Sequence, residues 1–186
     1  MKADTKFGYW SVVASVSGWQ MGQEYSRPEF VAETAIPQDL TALSIGQLIE
    51  LGNLKEGVNI AFEVCRIILG LSPTQVQNAR AVDVVRFVGW VYGEVRKINE
   101  LFERSQSKPT PQEVQAGVKN LSFGLFGLLD WYAKRMGITN HDEVLGVPWL
   151  RIYRCLDMDN KTNQFNRKLS EVYNDEYKRK SKAHLR

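Results

Sequence analysis

"AVDVVRFVGWVYGEVRKINELFER", residues 81–104, decides the fold class. Val84, Val88, Val91, Val95, Ile98 and Phe102 follow one another at steps of three and four residues. In a helix those steps align side chains on one face. Arg86, Arg96, Lys97, Glu100, Glu103 and Arg104 fall mostly off that face. Around Phe87–Tyr92 the segment is apolar on nearly all sides, which predicts a helix running through the middle of the molecule. Gly89 and Gly93, four residues apart, predict close approach by another helix.

Working upstream, helix starts recur. Ser44 stands three residues before Gln47, and Ser72 three before Gln75 with Pro73 between them. Both are capping-box spacings. Ile60, Val64, Ile67, Ile68 and Leu71 form an apolar stripe that stops near Gly70. Residues 7–36 read differently. "YWSVVASVS" and "EFVAETAIP" are rich in β-branched and aromatic residues and are separated by turn formers. They predict a small β-hairpin, with a first helix over residues 9–16 as the rival.

Downstream, "SQSKPTPQ" (105–112) reads as a linker that turns into a helix start at Thr110, Pro111 and Glu113. In "SFGLFGLLDWYAKRMGI" (122–138), Leu125, Leu128, Leu129, Tyr132 and Met136 share a stripe, and Gly137 is placed to cap the helix end. Gly124 and Gly127 have neither the strand nor the Lys-Ser/Thr ending of a phosphate loop, and read as small residues that let helices pack closely. Asn140 and Glu143 have capping-box spacing. Pro148 opens a further helix, and "TNQFNRKLSEVYNDEYKRK" closes the chain with Phe165, Leu169 and Val172 on one narrow face. The whole predicts a mainly α protein of seven helices, a multi-helix bundle with a small N-terminal β element. Residues 1–40 form that element, 41–106 a first helical block, and 107–186 a second block with a basic tail, all packed as one unit.

The chain has 186 residues and a net charge of +3. Residues 161–186 carry eight Lys/Arg against three Asp/Glu, a balance of +5, which leaves −2 for the rest. The basic character thus belongs to a short end and not to a folded face, which reads as a solvated helix terminus and argues against nucleic acid. The longest apolar runs, Phe87–Gly93 and Phe123–Leu129, are far below the ~20 residues of a membrane helix, and no secretory signal is legible at Met1. No membrane partner is expected.

Catalytic and metal signatures are missing. Cys65 and Cys155 are isolated and read as buried free thiols. His141 and His184 make no metal-ligand spacing, and no nucleophile elbow accompanies His141. "DMDNKTNQFNRK" starts at Asp157 like a calcium loop but has Thr162 where glycine is required and Lys168 where a bidentate Glu is required. Asp159 or Asn160 reads instead as a helix N-cap. The reading is a non-enzymatic protein with no catalytic residue, cofactor or metal. Trp131, Tyr132, Trp149 and Tyr153 cluster in the second block, as core residues or as anchors for a protein partner.

"AIPQDLTALSIGQLIELGNL" (35–54), "CRIILGLSPTQVQNARAVDVVRFV" (65–88), "EVQAGVKNLSFGLFGLLDWYAKRMGI" (113–138), "DEVLGVPWLRIYRCLD" and "FNRKLSEVY" together resemble the tailed-phage tail assembly chaperone family. The resemblance spans roughly residues 35–175. It implies a helical phage protein in the host cytoplasm that binds the tape measure protein, or another tail protein, before the tail tube forms. Self-association stays open. The alternatives are a structural virion component, of the connector or baseplate kind, and a nucleic-acid-binding accessory protein acting through Lys178–Lys182.

Overall fold

The computed structural model describes residues 6–7, 25–54, 59–105, 109–121 and 123–184. Among them stand a two-stranded hairpin, β1 (Phe30–Val31) and β2 (Thr34–Ala35), and eight α-helices. These are α1 (Ile45–Gly52), α2 (Asn59–Leu69), α3 (Pro73–Asn78), α4 (Ala81–Ser105), α5 (Pro111–Gln115), α6 (Gly124–Met136), α7 (His141–Leu145) and α8 (Trp149–His184). A 3₁₀ turn, Val118–Leu121, lies between α5 and α6. The chain is mainly α with a small N-terminal hairpin, as the sequence predicts.

The hairpin is tighter than expected. "EFVAETAIP" is not one strand but folds back on itself, with Phe30 opposite Ala35 and Val31 opposite Thr34. Ala32 and Glu33 sit at φ 48° and 65°, the sign that a I′ turn demands of both central residues. Neither residue type favours that conformation, so tertiary burial of Val31 and Ile36 imposes it. "YWSVVASVS" and the rival helix over 9–16 lie outside the described residues.

The helix starts follow the sequence closely. Ser44, Ser72 and Thr110 each complete a capping box with Gln47, Gln75 and Glu113. Each box satisfies two backbone groups that a bare helix end leaves open. Asn140 departs from the pattern: its side chain accepts from the Asp142 N–H. Gly70 and Gly137 take left-handed φ values of 66° and 67° at the ends of α2 and α6, where a Cβ would be strained.

α4 runs through the centre. Val84, Phe87, Val88, Trp90, Val91 and Ile98 are buried, and among residues 87–92 only Tyr92 is exposed. The core is one continuous cluster. It joins Phe7 and the hairpin's Val31 to Val64, Cys65 and Val76, and to Tyr132, Val144, Trp149 and Ile152 of the C-terminal half.

Two chain segments far apart in sequence are stitched together at residues 40–45 and 147–149. The Ile45 N–H donates to the Val147 carbonyl at 2.8 Å, and the Trp149 N–H to the Leu43 carbonyl at 2.9 Å. Pro148 has no N–H, so Trp149 is the first donor of α8, and Leu43 satisfies it. The Trp149 indole Nε1–H reaches the Leu40 carbonyl at 2.7 Å. Beside this seam, a Cβ on Gly46 would meet the Leu145 backbone oxygen at 2.9 Å. The close helix approach that Gly124 and Gly127 suggest is therefore found at Gly46. Gly124 instead takes φ 54° at the start of α6, and a Cβ on Gly127 would meet Phe123 of its own chain at 2.8 Å.

The largest departure is α8. The sequence breaks it near "DMDN"; the structure carries it unbroken over 36 residues. Asp159 and Asn160 are not N-caps. Asp159 pairs with Arg135 of α6, and Asn160 donates to the Ser105 carbonyl at the end of α4, at 2.8 Å. Tertiary partners hold these weak helix formers in helical geometry.

Candidate partner-binding surface

The four aromatic candidates separate into two kinds. Tyr132 is 1% exposed and Trp149 3%. Both serve the chain's own core and present no surface to a partner, a correction to their reading as anchors. Burial follows from position: Tyr132 lies on the Leu129 side of α6, and Trp149 sits on the seam just described. Trp131 and Tyr153 are half-buried. Tyr153 packs edge-on to Phe102 of α4, with ring centres 5.5 Å apart. The Arg135 guanidinium lies over the Trp131 ring, 5.9 Å from its centre, a cation–π arrangement.

The exposed apolar surface lies elsewhere in the same block. Leu121 is 63% exposed, Phe123 71% and Phe126 62%, and Leu125 is also exposed. They gather where the 3₁₀ turn passes into α6. Only the middle of the predicted stripe, Leu129 and Tyr132, is buried; Leu125 and Met136 at its ends are exposed. Phe126 is one residue past Leu125, roughly 100° around the helix, so it falls off the stripe. That offset was the available signal: two phenylalanines inside an apolar run but off its buried face. Phe126 stacks on His141 of α7, with ring centres 5.1 Å apart.

Charged groups frame this surface. Asp130 accepts from Lys134 at 2.7 Å and lies 3.4 Å from His141 Nε2. The hydrogen bond from Lys134, more than the one from His141, holds the Asp130 carboxyl below its usual range. Arg135 pairs with Asp159, which raises the guanidinium further. Glu113 accepts the Thr110 N–H and Arg167 of α8, and is lowered first by that backbone hydrogen bond. These are surface ion pairs, which add orientation more than stability.

The carboxylates Asp157 and Glu100 are paired with cations. Asp157 holds Lys161, and Glu100 lies near Arg96 and Arg104. Burial pushes the Cys65 thiol up to about 12, and Cys155 is half-buried. Among the described residues no group of three His, Cys, Asp or Glu is placed to hold a metal ion, and no helix is long and apolar enough to cross a membrane. An open groove of about 550 Å³ lies between α5 and α8, lined by Thr110, Glu113, Asn163, Asn166, Arg167 and Ser170.

The chain matches no family model, no curated protein and no solved structure. Its function is therefore argued from the surface itself. That surface offers aromatic and aliphatic side chains without buried titratable groups. Such a face suits the apolar side of another polypeptide.

Proposed function

We propose that this chain is a non-enzymatic phage protein that binds and chaperones the tape measure protein during tail assembly. The observation that carries the reading is the exposed cluster Leu121, Phe123, Leu125 and Phe126 at the start of α6. A tape measure protein is long and helical, and its apolar faces need cover until the tube encloses them. An amphipathic helix laid across α6 would bury the two phenylalanines, whose large apolar rings contribute strongly to such interfaces. Asp130, Lys134 and Arg135 would form the polar rim. Trp131 and Tyr153 remain candidate contacts at the edge; Tyr132 and Trp149 act beneath it. The tail-specific part of the proposal rests on the resemblance over residues 35–175.

The test is co-expression with the tape measure protein of the same genome. The two should copurify, and Phe123→Ser with Phe126→Ser should lose at least tenfold in recovery while the melting temperature holds, because both side chains are solvent-exposed. No copurification, or recovery unchanged by the double substitution, overturns the assignment. Stoichiometric copies of the chain in purified particles would favour the structural virion reading instead.

A further inference from the structure

With the basic end set aside, the rest of the chain carries a net charge of −2, yet three of its arginines open on one hollow. Arg27, Arg80 and Arg86 line an open cavity of about 370 Å³ together with Glu29, Phe30 and Asp83. That volume lies in the range of small-ligand sites. Two elements supply the lining: the β1–β2 hairpin with the residues leading into it, and the start of α4, against which β1 packs.

These cations are held in place without being neutralised. The Arg27 guanidinium donates through Nη1 to the Ile36 carbonyl at 2.9 Å. Ile36 is buried, and its own N–H closes the hairpin on the Glu29 carbonyl at 3.0 Å. Arg27 is thus tied to the base of the hairpin by one edge, with the rest of its fork open. Arg80 meets Asp83 through Nε at 3.5 Å, which occupies one edge of that guanidinium. The Arg86 guanidinium is exposed and has no ion-pair partner among the described residues. Glu29 stands on the same rim and pairs with none of the three. Phe30 completes the lining. Its ring is 52% exposed, because the hairpin buries Val31 and leaves the preceding side chain on the opposite face. The turn that fixes this arrangement is the strained one at Ala32 and Glu33, and backbone outliers of this kind cluster at ligand sites.

The chemistry selects the ligand. A single guanidinium fork satisfies a carboxylate, and the carboxylates already on this rim leave Arg27 and Arg86 unpaired. A phosphate has three terminal oxygens and up to two charges, so it takes several forks at once. An exposed aromatic ring beside phosphate-binding cations is a stacking platform for a base.

We propose that the hollow between the hairpin and the start of α4 binds a nucleotide, with its phosphate on Arg27, Arg80 and Arg86 and its base against Phe30. The same chemistry serves a free nucleotide and one nucleotide of a single strand. No residue of α6 takes part, so the proposal stands or falls apart from the tape measure reading.

Equilibrium binding to the full chain at low salt tests it, with ATP, tripolyphosphate and a short oligo-dT strand as probes. ATP should bind with a Kd below about 1 mM. Arg86→Ala should weaken ATP and tripolyphosphate alike, by about tenfold. Phe30→Ala should weaken ATP by about tenfold and leave tripolyphosphate unchanged, since it removes only the stacking surface. Both side chains are exposed, so the melting temperature should hold in each variant. Glu29→Gln takes an acid off the rim and should tighten both probes. Oligo-dT that binds more tightly than ATP, with the same dependence on Arg86 and Phe30, supports the proposal and assigns the nucleotide to a strand; ATP binding without oligo-dT binding supports it and assigns a free nucleotide. Absence of binding by both overturns it. So does ATP binding that ignores Arg86→Ala or Phe30→Ala, or tripolyphosphate that binds as tightly as ATP, which would make the hollow a plain anion site.

Discussion

The two long helices of this protein solve opposite problems. α4 spans 25 residues and is surrounded by apolar neighbours over its first half, so burial holds it. α8 spans 36 residues, and its buried side chains lie in its first third, Trp149 and Ile152 beside the Phe102–Tyr153 contact. Past Asn160 it meets the body through polar side chains such as Arg167, which pairs with Glu113 across the groove. The comparison teaches that helix length and helix burial are separate matters. α4 is a structural beam. Distal α8 is a presented surface, whose apolar side the fold does not use.

The comparison breaks most directly by truncating one phenylalanine on each helix. Phe87→Ala on α4 should cost about 3–5 kcal/mol, read as a loss of denaturant midpoint, because the side chain is fully buried. Phe165→Ala on α8 should change the same midpoint by less than ~0.5 kcal/mol per monomer. Equal losses would mean that distal α8 belongs to the cooperative core. The anchor of α8 comes next. Trp149→Phe keeps most of the ring but removes the indole donor from the Leu40 carbonyl, which is left with the Leu43 N–H at 3.2 Å, and should cost about 1–2 kcal/mol; an unchanged melting temperature would remove the seam from the account.

Glycine exchange on α1 then separates a crowded site from an open one on a single helix. Gly46→Ala drives a methyl to 2.9 Å from the Leu145 oxygen and should destabilise by about 1–3 kcal/mol. Gly52→Ala meets nothing within 4 Å and should stabilise by about 0.5–1 kcal/mol. The smallest effect concerns pH. The Glu113 carboxyl is lowered in the folded chain, so its contribution is present above the unfolded carboxyl pKa and is lost as pH falls through the folded value. Protection of the α5 amides relative to their intrinsic exchange rates should therefore fall in acid, and Glu113→Gln should remove that fall; a profile identical in the variant would exclude Glu113 as its source.

Local physics was legible wherever a residue acts through its own neighbours. The Ser44, Ser72 and Thr110 capping boxes, the Gly70 and Gly137 stops, and the buried face of α4 depend on spacings of three and four, which the sequence displays directly. The places where reading failed all depend on a distant partner. "DMDN" looks like a break until Arg135 and Ser105 arrive to hold it in helix. "EFVAETAIP" looks like one strand until burial of Val31 bends it at Ala32 and Glu33. The candidate site was half legible. The exposed cluster lies in the block that holds the sequence's candidates, but Tyr132 and Trp149 are aromatic for the core and Phe123 and Phe126 for the surface, and residue type alone cannot tell these apart.

By itself, the order of residues determined that this is a helical protein, where most of its helices begin and stop, and which face of α4 is buried. Only the packed molecule decided that α8 is continuous, that residues 40–45 and 147–149 meet, and which aromatic side chains remain in contact with water. The reason is range: capping and periodicity act within one or two turns of chain, whereas burial depends on which surfaces, distant in sequence, the whole chain brings together.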